Sequence, residues 1–229
     1  MKIASRQEST IDYPGEFGII MFTQGCNFNC GFCHNPEFIN TQGNEINLKK
    51  MIQELKTKKK WYSAVCISGG EPTLHKKLPK FIKELKQIGF KIKLDTNGTN
   101  PEMLKILLNQ NLIDYIAMDI KSPKEKYPEI TNSNVNIKNL NQSIELAKKF
   151  PVCEFRTTVL PFLTEKDFKK MGEWINQTGK PKLWTLQQFS PEKTLDKEYE
   201  KLIPKTKQEI IKISEIIKNY AEKIRLLID

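Results

Sequence analysis

The stretch SAVCISGGEPTLHKKLPKFIKELKQIGFKIKL, residues 63–94, decides the fold. It opens on a short apolar run, 63–67, that reads as a strand, and passes through a turn of Ser68, Gly69, Gly70, Glu71 and Pro72. From 78 to 88 the apolar residues Leu78, Phe81, Ile82 and Leu85 recur at spacings of three and four, the signature of one buried helix face. A second strand follows at 90–94. Strand, helix, strand in this order forces a parallel pair joined by a right-handed crossover.

Working outward, the same order recurs. A strand at 17–23 precedes a helical period at Leu48, Met51, Ile52 and Leu55, and the strand at 90–94 is followed by a helix at 101–108. Strands at 115–120, 153–160 and 183–189 pair with helices at 137–149, 165–175 and 207–220. Six units of about 35 residues each match strand-helix-strand modules but fall short of a closed eightfold barrel. The expected fold is therefore α/β, a partial (β/α)6 TIM-like barrel open on one side. The tail 224–228 reads either as a small terminal strand or as the last helix running on. The Asn-rich stretch 131–136 reads as a loop, and no Pro-, Gly- or Ser-rich linker divides the chain, so one domain over 1–229 is expected, with 224–229 as a small C-terminal extension.

Composition excludes several classes. With 229 residues, 38% hydrophobic and 28% charged, the chain can bury a core without disulfides, and no apolar run approaches a membrane span. The amino terminus lacks an export pattern, so a cytoplasmic protein is expected. Net charge is +10, yet only Arg6, Arg156 and Arg225 are arginines, and lysines scattered over every segment form a solvated coat. Neither a nucleic acid nor a membrane partner is expected. Five cysteines, an odd number with three crowded together, point to ligation or redox chemistry instead of a disulfide framework.

The unusual polar motifs all fall just past the carboxyl ends of expected strands, the rim where parallel α/β folds build their sites. They are Cys26, Cys30, Cys33, His34, Asn35 and Pro36 after the first strand, and Gly69, Gly70 and Glu71 after the second. Asp95, Thr96, Asn97 and Gly98 follow the third, and Asp119, Ile120 and Lys121 close the fourth. Three thiolates at spacings of four and three lack a good fourth ligand for structural zinc, because His34 is adjacent to Cys33. An iron-sulfur cluster held by three cysteines would instead keep one iron free for a substrate or cofactor. Cys66 and Cys153 lie inside strands and read as buried thiols, and His75 as a solvated residue at a helix start.

The spacing of Cys26, Cys30 and Cys33, with Phe32 before the last, resembles the signature of the radical S-adenosylmethionine (SAM) superfamily. With Asp12-Tyr13-Pro14-Gly15, Gln24-Gly25-Cys26, Cys33-His34-Asn35-Pro36 and the three later rim motifs, the chain is similar to glycyl-radical-enzyme activases. Residues 114–123, 154–161 and 186–189 most resemble the longer type of anaerobic ribonucleoside-triphosphate reductase activating protein. The resemblance spans residues 12–189.

It implies one 4Fe-4S cluster on Cys26, Cys30 and Cys33, with SAM on the open iron, and a 5′-deoxyadenosyl radical that takes a hydrogen from a glycine of a partner enzyme. Phe32 and His34 would flank the adenine. Gly69 and Gly70 would let the backbone pass the methionine moiety, and Glu71 would meet its amino group. Asp95, Asn97, Asp119, Ile120 and Lys121 would line the cofactor, with Lys121 neutralising a carboxylate and Arg156 pointing into the barrel mouth. Asp95 and Asp119 need a counter-ion or a proton, and related activases suggest a monovalent cation there; the alternative is that residues 95–98 form only a tight turn. The implied partners are a glycyl radical enzyme, an anaerobic ribonucleotide reductase above all, and a flavodoxin- or ferredoxin-type electron donor. Two departures count: pyruvate formate-lyase activase places a His where this chain reads Leu186-Gln187-Gln188-Phe189, and no ferredoxin module lies between Cys33 and Cys66. Two other functions compete: a radical enzyme acting on a small deazapurine precursor, and a zinc-stabilised binding module.

Overall fold

All six expected strand-helix pairs form, and two further strands flank them in the computed structural model, which describes residues 1–40 and 46–228. The elements are β1 (Ile3–Ser9), β2 (Gly18–Thr23), α1 (Leu48–Lys58), β3 (Ala64–Gly69), α2 (Leu78–Ile88) and β4 (Lys91–Thr96). Then come α3 (Pro101–Asn109), β5 (Tyr115–Asp119), α4 (Tyr127–Thr131), α5 (Ile137–Ala147) and β6 (Val152–Val159). The chain ends with α6 (Glu165–Asn176), β7 (Leu183–Gln188), α7 (Lys207–Ile217) and β8 (Lys223–Leu227). The strands make one sheet in sequence order from β1 to β8. Among the described residues only the β1–β2 pair is antiparallel; β2 through β8 run parallel, a curved sheet with free edges at β1 and β8.

Local chemistry sets the helix ends. Asn100 caps α3 ahead of Pro101, and capping boxes of Thr164 with Asp167 and Thr206 with Glu209 start α6 and α7. Gly89, at φ 95°, ends α2 in the left-handed region that suits glycine. The helix expected over 137–149 stops at Ala147, and the one over 207–220 gives way to a 3-10 turn at Lys218–Tyr220. The tail is a strand parallel to β7, and Asp229, the last residue of the expected extension, lies outside the described residues. β1 escapes the hydrophobic pattern because Ile3 is its only buried residue.

The sheet separates two interiors. Outward residues such as Ile92, Leu94, Ile116, Met118, Phe155, Trp184 and Leu186 join a core with Phe81, Leu85, Leu104, Phe168, Met171 and Ile213 from the helices. Of the alternate residues, which face the concave side, those on β4 and β6 to β8 include a set of polar ones: Lys93 and Asp95 on β4, Glu154 and Arg156 on β6, Gln187 on β7, Arg225 on β8. Charge on that side is paired. Glu154, 1% exposed, accepts from Tyr115 Oη at 2.5 Å and from Arg225, whose Nε donates to Thr185 Oγ1 at 3.1 Å. Arg225 thereby ties the edge strand β8 to β6 and β7.

Removing one partner of a buried ion pair costs roughly 3 kcal/mol. Arg225→Ala is therefore expected to lower unfolding free energy by about that amount in urea titration, and to speed hydrogen exchange in β8 before the rest of the sheet.

Candidate active site

The cysteine loop follows β2 and has no regular structure of its own, so its backbone groups are met by neighbours. Gly25 N–H donates to Phe38 O at 2.7 Å, Cys26 N–H to Ile39 O at 3.2 Å, and Asn29 N–H to Thr131 O at 2.9 Å and Ser133 Oγ at 3.1 Å. The stretch 131–136, expected as a plain loop, thus supports the cysteine loop from the end of α4. Phe28 packs edge-on against Tyr127 of α4, with ring centroids 6.2 Å apart. Asn27 bridges to the turn after β4, donating to Thr99 Oγ1 and accepting from Asn97 Nδ2, both at 2.9 Å.

From the other side a strap covers the loop. It runs from Ser190 to the start of α7, and in it Asp196 N–H donates to Gly31 O at 2.9 Å, while His34 Nδ1 lies 2.9 Å from Lys193 O. Tyr199 lies over the loop, its ring tilted against Phe32 and edge-on to Phe189. A Cβ on Gly31 would come within 2.3 Å of the Tyr199 ring, so the glycine is what lets the tyrosine descend. No sequence motif marks this strap.

The Ser68–Pro72 turn meets the loop through Glu71. Its N–H donates to Gly25 O at 2.8 Å. Its Oε1 accepts from Thr73 N–H at 3.0 Å, Thr73 Oγ1 at 2.5 Å and Thr96 Oγ1 at 2.8 Å, and its Oε2 from Asn97 N–H at 2.6 Å. Burial raises the Glu71 pKa, and these donors oppose the rise. The carboxylate expected to meet a ligand amino group is thus engaged within the protein, where it ties two turns together. The glycines have the same reason. A Cβ on Gly70 would stand 2.1 Å from Gly25 O, and one on Gly69, whose φ is +108°, 2.3 Å from Thr23 N; the backbone they must pass is the protein's own.

Deeper in the cavity the charges alternate. Lys93 Nζ donates to Asp95 Oδ1 at 2.7 Å, Arg156 Nη1 to Asp95 Oδ2 and Nε to Asp119 Oδ1, each at 3.1 Å, and Lys121 Nζ to Asp119 Oδ2 at 3.1 Å. Burial alone would raise the Asp95 carboxyl, but Arg156 and Lys93 outweigh it and hold it down to about 2. Asp119 is likewise lowered against its burial by Lys121 and Arg156. Residues 95–98 also make the tight turn, with Asn97 Oδ1 accepting from Thr99 N–H at 3.0 Å. The tight turn and the pairing of Asp95 with side-chain cations are present together.

These groups surround one cavity of about 720 Å³, within the roughly 300–1,000 Å³ typical of ligand sites. Cys26, Cys30, Phe32, Cys33, His34, Gly69, Gly70, Glu71, Asp95, Asn97, Asp119, Lys121 and Arg156 all line it. Ile120 does not: its side chain is fully buried in the core, and the strand alternation that turns Asp119 inward turns Ile120 away. His75, expected to be solvated, is half-buried, and burial lowers its pKa. Cys66 and Cys153 are buried, as expected. Lys93, Glu154, Gln187 and Arg225 line the cavity without having been anticipated. Their signal was a charge or amide at every second position of strands that a fully buried parallel sheet would make apolar throughout.

Among the described residues no three His, Cys, Asp or Glu side chains converge as ligands of a single metal ion do. The three loop thiols are free and all line the cavity, and thiolates are the donor chemistry of iron-sulfur clusters. Burial pushes Cys26 up to about 12 and Cys30 to about 11, so without metal both carry protons.

Residues 20–175 match the profile of the Radical SAM superfamily. A protein of Methanocaldococcus jannaschii, named as a candidate glycyl-radical enzyme activating enzyme, is 34% identical over 223 residues, 94% of this chain and 91% of its own. The pyruvate formate-lyase-activating enzyme of Staphylococcus aureus (strain USA300) is 34% identical over 182 residues, 73% of this chain and 72% of that enzyme. Among solved structures, Streptococcus suis SuiB bound to S-adenosylmethionine superposes with a TM-score of 0.65 at 18% identity, a likeness of fold over 92% of this chain and 49% of that one. The chain spans about half the length of SuiB. It is a radical SAM enzyme, whose superfamily cofactors are a 4Fe-4S cluster and S-adenosylmethionine. Within that superfamily it belongs to the family of the glycyl-radical enzyme activating enzymes.

Two outcomes are expected. Gly70→Ala forces backbone against backbone, so the variant should keep its far-ultraviolet circular dichroism yet lose most of its iron on anaerobic reconstitution, as read by metal analysis. Because the buried thiols must release protons to bind metal, iron uptake should strengthen as pH rises and weaken as it falls, measured by cluster absorbance at equilibrium.

Proposed function

We propose that this chain activates a glycyl radical enzyme, acting as one domain in the cytoplasm, a compartment that would keep its five thiols reduced. The observation that carries the reading is the shape of the cavity. Its lining runs from Cys30 at the rim down to Arg225 and Leu227 of β8 and across to Gln7 of β1, so it lies along the seam between the free sheet edges. A segment of another protein can reach such a site from the side. The match to the Methanocaldococcus protein over nearly the whole of both chains supports the same class. No helix among the described residues is long and apolar enough to cross a membrane.

When bound, the cluster and S-adenosylmethionine supply one-electron chemistry able to remove a hydrogen atom from an unactivated carbon. The chain's own residues bind and orient. Cys26, Cys30 and Cys33 would hold the cluster, and Lys121, beside the Phe32 ring at 5.5 Å, would meet the carboxylate of the methionine moiety. Phe32 and His34 would flank the adenine, while Asp95, Asn97, Asp119 and Arg156 fix the wall behind it. Gly69, Gly70 and Glu71 act one step back, locking the turns that shape the pocket. The cysteine loop, closed over by Tyr199, excludes water from the protein side.

For the partner we propose an anaerobic ribonucleoside-triphosphate reductase. Support comes from residues 114–123, 154–161 and 186–189, where Gln187 lines the cavity in a stretch in which pyruvate formate-lyase activase carries a His. An acidic flavodoxin- or ferredoxin-type donor suits the net charge of +10.

Reconstituted anaerobically with reductant and S-adenosylmethionine, the protein is expected to raise a glycyl radical signal by electron paramagnetic resonance in a co-encoded reductase. Cys30→Ala should give neither signal nor cofactor cleavage while its melting temperature stays within a few degrees, roughly what a loss of under 1 kcal/mol produces. Radical formation in a different glycyl radical enzyme alone would replace the partner, and no signal in any would overturn the activase reading.

A further inference from the structure

Asp95 and Asp119 face the same cavity from neighbouring strands, and two such carboxylates need a proton, a metal ion or a side-chain cation between them. A shared proton does not suit Asp95, which is held down to about 2. Each of the four carboxylate oxygens already has a cationic partner: Lys93 and Arg156 on Asp95, Arg156 and Lys121 on Asp119. The third carboxylate facing Arg156, on Glu154, is paired with Arg225. The row therefore reads cation, anion, cation, anion, cation, with one positive charge in surplus at a mouth that awaits an anionic carboxylate. An alkali metal ion placed there would find no free oxygen pair and three positive neighbours.

The strand register explains how one side chain reaches both acids. Arg156 on β6 pairs directly with Asp119 on β5, and Asp95 on β4 pairs with Ala117 on β5. Ala117 is the inward residue between the two strands, and its single methyl leaves the guanidinium room to cross to Asp95. Lysine, with one point charge, could not face both acids with separate donors as the planar fork does.

We propose that Arg156 is a built-in counter-ion, a positioning residue whose guanidinium stands where a monovalent metal ion would otherwise have to bridge Asp95 and Asp119, so that cofactor binding by this chain needs no alkali metal. The inference rests on S-adenosylmethionine as cofactor and is independent of the identity of the activated enzyme.

The test compares potassium, sodium and choline chlorides at constant ionic strength, choline being too large to enter between the carboxylates. In the reconstituted holoenzyme, wild-type affinity for S-adenosylmethionine, measured by equilibrium dialysis, is expected to be the same in all three salts. Arg156→Ala is expected to bind roughly tenfold or more weakly in choline, as loss of a charge-assisted hydrogen bond entails, and to recover in part with potassium, sodium or a few millimolar guanidinium. In cluster-free protein, potassium in place of choline should raise the melting temperature of Arg156→Ala and leave that of wild type unchanged. Should the alanine variant fail to fold, Arg156→Lys, which keeps one charge, takes its place with the same signature in weaker form. Wild-type binding that falls severalfold in choline, or a folded variant indifferent to both the cation and guanidinium, would overturn the inference. Wild type that binds no S-adenosylmethionine in any salt would instead remove the cofactor reading, and the melting comparison would still judge Arg156 by itself.

Discussion

The carboxylate of Glu71 sits between two turns that leave different strands, and it takes hydrogen bonds from both while its own N–H reaches the start of the cysteine loop. Three irregular segments at the rim of a parallel sheet thus meet at one residue, two through its carboxylate and the third through its N–H. Loops of this kind carry backbone groups that no ladder satisfies, and a buried carboxylate accepting several donors is a strong local solution. Gly69 and Gly70 follow from it, because the turn can bring Glu71 to that place only by pressing its backbone against Thr23 and Gly25.

A second constraint comes from the open barrel. Its concave face is polar, so the molecule must keep several charged groups away from bulk water without leaving any unpaired. It does so by alternation. Lys93, Asp95, Arg156, Asp119 and Lys121 form one row, and Glu154 and Arg225 a separate pair that also fastens the last strand. The stability of the edge and the charge of the site therefore depend on the same face of the sheet.

Much of this was legible in the sequence. Apolar spacing located every crossover helix but the short α4, and the position of the motifs past the strand ends brought nearly all candidate residues to one cavity. What escaped did so for physical reasons. β1 is too polar to announce itself. Ile120 sits between two cavity residues, and only the strand period shows that it must point the other way. The tie that Glu71 makes between two turns escaped because its donors come from Thr73, Thr96 and Asn97, two of them distant in sequence. The strap and Tyr199 had no motif, since packing over a glycine leaves no mark on spacing or composition.

That strap bears on how the protein comes to be made. Gly31 and Tyr199 lie about three quarters of the chain apart in sequence, so during translation the cysteine loop leaves the ribosome long before the tyrosine that covers it has been synthesised. Nascent chain and finished protein thus expose different sides of the cysteine loop: the side that Tyr199 covers is open until the carboxyl-terminal third has docked, after which the thiols face the cavity they line. In the full-length protein the approach to the thiols is therefore through the cavity, on the side that Tyr199 does not cover.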